Sequence, residues 1–250
     1  MTGTAPAPAT AHMDGAFPFR TLPGFFLQGD VATESPAHYA PRLGLLPKQK
    51  WSDVTSALDA PDAKLVIFLR HGEGLHNADK ARVGDAAWEH EYQFRTDYID
   101  APLTQSGVDQ ARTLDTYKHA WGQVQSSAPV VAMEIVRETL GVCPCDQRKA
   151  TTPKREAFPE IDFCGVVDEQ DPWWKPDHRE SDDEIDARAR RFLQQIMVQR
   201  SERRVLVVSH SGFTRACLRA LGHRYYRPAN GELVPVLVHV PRDAKHNEEL

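Results

Sequence analysis

The chain has 250 residues, 41% of them hydrophobic and 26% charged, with a formal net charge of −5. That composition sustains one sizeable core, and the acidic balance disfavours a nucleic-acid surface. No apolar run approaches bilayer length, and Met1 to Ala11 has neither the basic start nor the apolar centre of a secretory signal. The expectation is a cytoplasmic protein whose four cysteines, Cys143, Cys145, Cys164 and Cys217, are reduced. The spacing Cys143-Pro144-Cys145 is too tight for a usual zinc pair, so no metal site is expected.

In chain order, residues 1–17 are small and Pro-rich and read as a disordered tail. Residues 18–63 carry aromatics, prolines and glycines. They read as an irregular arm packed on the domain, with one short helix from Trp51 to Leu58. The remaining domain, 64–250, opens on Lys64-Leu65-Val66-Ile67-Phe68, an apolar run without alternation, as in a strand buried on both faces. Leu69-Arg70-His71-Gly72-Glu73-Gly74 follows it directly. Thr104 opens a helix whose apolar stripe is Val108, Ala111, Leu114, Tyr117 and Trp121. Val130 to Val136 reads as a strand.

Ser181 to Gln199 is a helix that starts on a capping box, Ser181 with Glu184, and buries Ile185, Ala189, Phe192, Leu193 and Ile196. Arg188, Arg190 and Arg191 read as its solvated face. Arg204 to Val208 is a second buried strand, ending in Ser209-His210-Ser211-Gly212. A helix from Phe213 to Leu221 follows, with Gly222 as its stop. Leu233 to Val240 is the last strand. Strands alternating with amphipathic helices imply an α/β fold, a three-layer α/β/α sandwich with a mostly parallel central sheet.

Chemistry concentrates where two buried strands end in histidine. In parallel sheets, ligands gather beyond the carboxyl ends of the strands, so His71 and His210 are expected at one edge. The glycine after His71 lets a ligand approach closely, and the helix after His210 can aim backbone amides at an anion. Such a set suits phosphoryl transfer through a covalent phosphohistidine. His71 attacks and must be unprotonated on the attacking nitrogen. Arg70 holds phosphate oxygens, and His210 donates a further charged hydrogen bond. A carboxyl group with a raised pKa serves as the acid.

Several signatures occur together. They are Arg70-His71-Gly72-Glu73-Gly74 with His76-Asn77, Asp100-Ala101-Pro102-Leu103-Thr104 with Gly107, and Val136-Arg137-Glu138 with Gly141. Further on come Cys145-Asp146 with Arg148, Trp174 to Glu180, and Ser209-His210-Ser211-Gly212. In this combination the chain resembles the histidine phosphatase superfamily, most strongly its fungal phosphoglycerate mutase-like phosphatases. The resemblance implies the fold and the phosphohistidine chemistry. It makes His71 the phosphate acceptor and Glu138 the proton donor, with His210 completing the catalytic set. It assigns Arg70, His210 and Asn77 to phosphate contacts, and Arg148 and Gly212 are also expected to bind substrate. It implies a small anionic phosphorylated substrate and no cofactor.

The chain departs from the family at one place. The family carries a second phosphate arginine, in a Ser-Pro-Leu-x-Arg motif at the end of its next strand, with a helix after it. Here Gly122 to Val130 leaves no room for a strand-helix unit, which takes roughly thirty residues with its returning strand. Arg137, Arg148 and Arg179 are the candidates to substitute. The expected function is a phosphomonoesterase acting on a small phosphorylated metabolite. The alternative is a catalytically impaired anion-binding homologue, or the same pocket recruited for another reaction. Of the remaining site neighbours, His76 is expected to cap or pack, Trp173 and Trp174 to anchor, and Arg179 with Glu180 to form an ordinary ion pair.

Overall fold

A computed structural model describes residues 17–35, 41–114 and 128–245. Its central sheet contains four strands in the order β1 (Arg20–Thr21), β6 (Leu233–His239), β2 (Ala63–Arg70), β5 (Arg204–Ser209). The β2 run is buried from Ala63 to Leu69, as a strand covered on both faces must be. It pairs in parallel with β5, antiparallel with β6, and β6 pairs antiparallel with β1. The α/β architecture is therefore present and the sheet is partly parallel. The chain returns from β5 through one helix and then reverses at Gly231, which has a φ of 71°.

The two faces of β2 sort its side chains into two core clusters. Val66 and Phe68 join Phe19, Phe192, Leu193, Phe213, Cys217 and Val236 under helices α5 (Asp182–Gln194) and α6 (Ser211–Ala220). Leu65, Ile67 and Leu69 face Phe26, Leu43, Leu45, Val54 and Leu58, the last two from helix α1 (Trp51–Asp59). Residues of the arm thus supply half of the second cluster.

Strands β3 (Val131–Met133) and β4 (Asp162–Gly165) pair in parallel as a separate two-stranded sheet. Among the described residues nothing pairs with the outer edge of β5, and its Leu206 and Val208 are 47% and 55% exposed. Tyr117, Trp121 and Ser127, with most of the gap near 122–130, lie outside the described residues, as does the tail up to Ala16.

Four elements escaped the sequence expectation: strand β1 in the arm, helix α2 (Leu75–His90), the short helix α4 (Thr152–Ala157) and β4. The predicted strand at Val130–Val136 is shorter, turning into a 3₁₀ segment at Glu134–Val136. Helix α3 (Gln105–Thr113) starts at its predicted cap, with Thr104 Oγ1 accepting from Gly107 N. Helix α5 has the capping box read from Ser181 and Glu184.

Candidate active site

Register brings the two histidines together. Leu69 lies opposite Val208 and Arg70 opposite Ser209, and His71 N donates to Ser209 O at 2.9 Å. The next residues on the two strands are therefore His71 and His210, whose rings meet edge-on with centroids 4.8 Å apart. Beyond His71 the chain turns tightly against the start of α3. A Cβ on Gly72 would overlap Gly107 O, and one on Gly107 would overlap Glu73 O. Thr104 and Gln110 secure this turn: Thr104 N donates to Glu73 O at 2.9 Å and Glu73 N to Gln110 Oε1 at 2.8 Å.

His71 Nδ1 lies 2.7 Å from Gly72 O. A carbonyl oxygen only accepts, so Nδ1 carries the proton and the lone pair resides on Nε2. Burial pushes the His71 pKa down, the Gly72 bond pulls it back, and the Arg70 charge lowers it further, for a net decrease. His71 is thus a neutral imidazole with one available nitrogen, the state a nucleophile needs.

Arg70 donates through Nη1 to Pro228 O at 3.1 Å, while its buried Nε has no partner. Burial lowers its pKa, opposed by Glu138. His210 is expected from sequence to be charged. Burial instead holds it below the usual imidazole range, against the pull of Glu138, so the imidazole is neutral. His76 stands beside His71 at 5.9 Å between ring centroids, its buried Nδ1 without a partner. Burial, then the neighbouring His71 and Arg70, bring it to about 4.

Glu138 seats its carboxylate on the start of α6. It accepts from Gly212 N at 3.0 Å, Phe213 N at 3.2 Å and Thr139 N at 2.9 Å. Gly212 is required there, because a Cβ would collide with Glu138 Oε1. Burial alone pushes this carboxyl up. The three amide bonds, joined by the attraction of His210 at the low pH where that ring is protonated, outweigh burial and hold it well below the usual carboxylate range. This corrects the expectation of an acid with a raised pKa: in this conformation Glu138 is an ionised internal anion. The raised carboxyl is its neighbour Asp146, which burial and the Glu138 charge push to about 7 despite Arg179 at 2.6 Å. Burial wins over the ion pair because the Arg179 side chain is 40% exposed and shares its charge with water.

Asn77, expected on phosphate, uses its Oδ1 to cap α2, accepting from Gly74 N at 3.0 Å. The same oxygen accepts from Asn230 Nδ2 at 3.1 Å, and that amide group also donates to His71 O at 3.2 Å. Asn230 is thus a site residue that sequence reasoning missed. Its only local signal is the Asn-Gly turn before β6.

Arg148 is not brought to the site, contrary to the sequence expectation. Its Nε donates to both oxygens of Glu134 at 2.9 and 3.1 Å, and its terminal nitrogens to Thr151 Oγ1 and the carbonyls of Asp168, Glu169 and Gln170. A planar fork with every nitrogen committed has none left for phosphate. Arg137 is tied likewise to Glu134 and Asp171, and Arg179 to Asp146, Thr139 O and Gly141 O. Arg179 and Glu180 form no pair with each other: Glu180 pairs with Arg188. Arg188 is 2% exposed, which overturns its assignment to a solvated face. Trp174 donates through Nε1 to Cys143 O at 3.0 Å, whereas Trp173 is 38% exposed.

The assembled elements are a neutral nucleophilic nitrogen, one guanidinium, a second imidazole and a helix N-terminus at the carboxyl edge of an α/β sheet. They define an anion site equipped for attack on an electrophile. The family model described as histidine phosphatase superfamily (branch 1) matches residues 153–230. Phosphomutase-like protein 3 of Candida albicans is 30% identical over 226 residues, 78% of this chain and 71% of that protein. Phosphoglycerate mutase-like protein 1 of Arabidopsis thaliana is 28% identical over 221 residues, 68% of this chain and 76% of that protein. Among solved structures, mycobacterial hydrolase 2 aligns at 15% identity and a TM-score of 0.41, over 73% of this chain and 85% of that one. The chain belongs to the histidine phosphatase superfamily, and that membership supports phosphatase- or mutase-type chemistry. The Candida alignment spans 226 positions yet fills them with 78% of a 250-residue chain, so the relative carries residues with no counterpart here. Among the described residues no helix is long and apolar enough to cross a membrane.

Proposed function

We propose that this chain is a phosphomonoesterase acting on a small phosphorylated metabolite through a phosphohistidine at His71. The observation that carries the reading is the fixed tautomer: with Nδ1 committed to Gly72 O, Nε2 is free to attack beside Arg70 and His210. Nε2 bonds to phosphorus as the bond to the leaving oxygen breaks, and the leaving oxygen takes a proton. Water then attacks phosphorus, the P–N bond breaks, and free phosphate departs. Arg70 and His210 hold equatorial oxygens, and no cofactor enters the scheme. Glu138 is the carboxyl within the site. An arriving phosphate dianion raises its pKa and competes for its amide donors, which turns it from an internal anion into the acid.

A second reading rests on a specific observation. The charged side chains that perturb His71 are Arg70 and Glu138, and the three candidate replacement arginines are all committed elsewhere. Loss of one charge-assisted donor costs on the order of 3 kcal/mol in the transition state, about a hundredfold in rate. The site would then bind anions with little or no turnover. Steady-state hydrolysis of an aryl phosphate decides between them. The first reading requires the wild type to exceed His71→Ala by at least about tenfold, whereas equal rates with retained phosphate binding support the second.

A further inference from the structure

We propose that Arg188, on α5, is the positioning residue for Glu138: it fixes the segment 135–140 so that the Glu138 carboxylate meets the amides of α6. The inference rests on the reading of this site given above and names a residue outside its reacting groups.

The geometry is a bracket. Arg188 Nη1 donates to Ile135 O at 2.9 Å and to Arg137 O at 2.8 Å, and Nη2 to Glu138 O at 2.9 Å. Three carbonyls within four residues therefore converge on one guanidinium. The opposite side of the fork is held by Glu180, through Nε to Oε1 at 2.7 Å and Nη2 to Oε2 at 2.5 Å. Glu180 grips the same segment from beyond Glu138, since its Oε2 accepts from Leu140 N at 3.0 Å and its own N donates to Leu140 O at 2.9 Å. The segment is thus tied on both sides of Glu138 to one buried ion pair.

The guanidinium plane adds a link to the other half of the contact. It stacks over the Phe213 ring at 4.8 Å, and Phe213 N is one of the amides that Glu138 accepts from. Arg188 therefore holds both the residue that presents the carboxylate and the residue that receives it. A lysine cannot reproduce this arrangement. A single ammonium reaches some of these acceptors, but it has no planar face for Phe213 and no fork to satisfy three carbonyls and a carboxylate together. The other arginines of the helix are placed differently: Arg190 lies over Phe17 and Arg191 is exposed.

The test reads the carboxyl group itself and does not depend on turnover. The groups facing Glu138 are His210 from the end of β5, Arg70 and His71 from β2, His76 from α2, and Asp146 with Arg179 from the loop after it. With the Glu side chains 13C-labelled and Glu138 assigned by difference from Glu138→Gln, the wild-type carboxyl signal is flat from about pH 4 to 8. In Arg188→Lys the carboxylate slips from its amide donors while staying buried, so a titration step appears inside that window. If the variant is folded and its Glu138 signal is as flat as in the wild type, the proposal is overturned. If Arg188→Lys does not fold, Glu180→Gln carries the same test with the same two outcomes, because it loosens one side of the bracket.

If the wild type hydrolyses aryl phosphates, a second readout applies. Arg188→Lys lowers kcat about tenfold with KM changed less than twofold, and adds less than twofold when placed on Glu138→Gln. Equal losses in both backgrounds refute an action through Glu138. If the wild type does not turn over, the phosphomonoesterase reading fails and the carboxyl titration still decides the role of Arg188.

Discussion

Arg148→Met separates a binding role from a framework role. The Arg148 side chain is 10% exposed and Glu134, its carboxylate partner, 9%. Removing one member of a buried ion pair costs about 3–5 kcal/mol, because the other charge is left uncompensated. Glu134 keeps Arg137 at 2.6 Å, which places the cost near the lower end. The carbonyls of Asp168, Glu169 and Gln170 are at the edge of the network and regain water when the fork is gone. A loss of about 3 kcal/mol in a chain of this size corresponds to a fall in Tm of about 6–12 °C. Calorimetry or thermal melting monitored by circular dichroism measures it. Aryl phosphatase activity or phosphate affinity per folded molecule should change less than threefold. A hundredfold loss of either at unchanged Tm would return Arg148 to the substrate and refute the geometry.

Gly212→Ala places a methyl group against Glu138 Oε1 and within 2.7 Å of Thr139 Oγ1, and so drives the carboxylate from its seat. The expected loss in kcat is on the order of a hundredfold. The stability cost is about 1–3 kcal/mol, and undiminished kcat contradicts the assignment. Asp146→Asn tests the raised carboxyl. With its folded value near 7 and an unfolded value near 3.8, Asp146 keeps its proton in the folded state through a window where the unfolded chain has lost it. Stability from this group therefore falls as pH rises from about 4 to about 7. The Tm difference between variant and wild type should grow across that window and level off above it. A difference independent of pH means that Asp146 is ionised throughout. His76→Phe addresses the opposite sign. An imidazole held near 4 when folded resists protonation that the unfolded chain accepts at about 6.5, so stability falls as pH drops from 6.5 toward 4. The variant should lose less stability than the wild type over that range, and equal losses would show His76 to be exposed to protonation.

β2 was legible because burial on both faces leaves an unbroken apolar run, from Ala63 to Leu69. β5 carries the same kind of run and so reads as buried, yet only Val207 and Ser209 are buried, while Leu206 and Val208 are exposed on its other face. The cap of α5 was legible for a similar local reason, since Ser181 and Glu184 bond each other's backbone. Helix α2 was not legible: Trp88 is its only buried residue, so it has no apolar stripe, and Gly84 interrupts it at a φ of 81°. The mixed sheet was hidden because β6, buried from Leu233 to Val238, reads the same whether it runs parallel or antiparallel.

At the site, sequence identified the residues that act through position on a strand and failed for those that act through distant partners. The carbonyl acceptors of Arg148 lie twenty or more residues further on and its carboxylate partner Glu134 fourteen residues back, where no spacing rule reaches. Arg188 could have been read better. It falls three residues after Ile185 and four before Phe192, inside the buried stripe, and a charge there must have found acceptors. The ionised state of Glu138 could not be foreseen, since it depends on where the first turn of α6 meets a segment more than seventy residues earlier.

Covalent catalysis stands or falls at His71. Wild-type protein mixed with an aryl phosphate, quenched at alkaline pH where phosphohistidine survives, and digested for mass spectrometry should carry an acid-labile phosphate on the peptide containing His71. Label should be absent in His71→Ala and unchanged in Arg148→Met. A wild type without label on that peptide, while phosphate is being released, would contradict covalent catalysis at the end of β2.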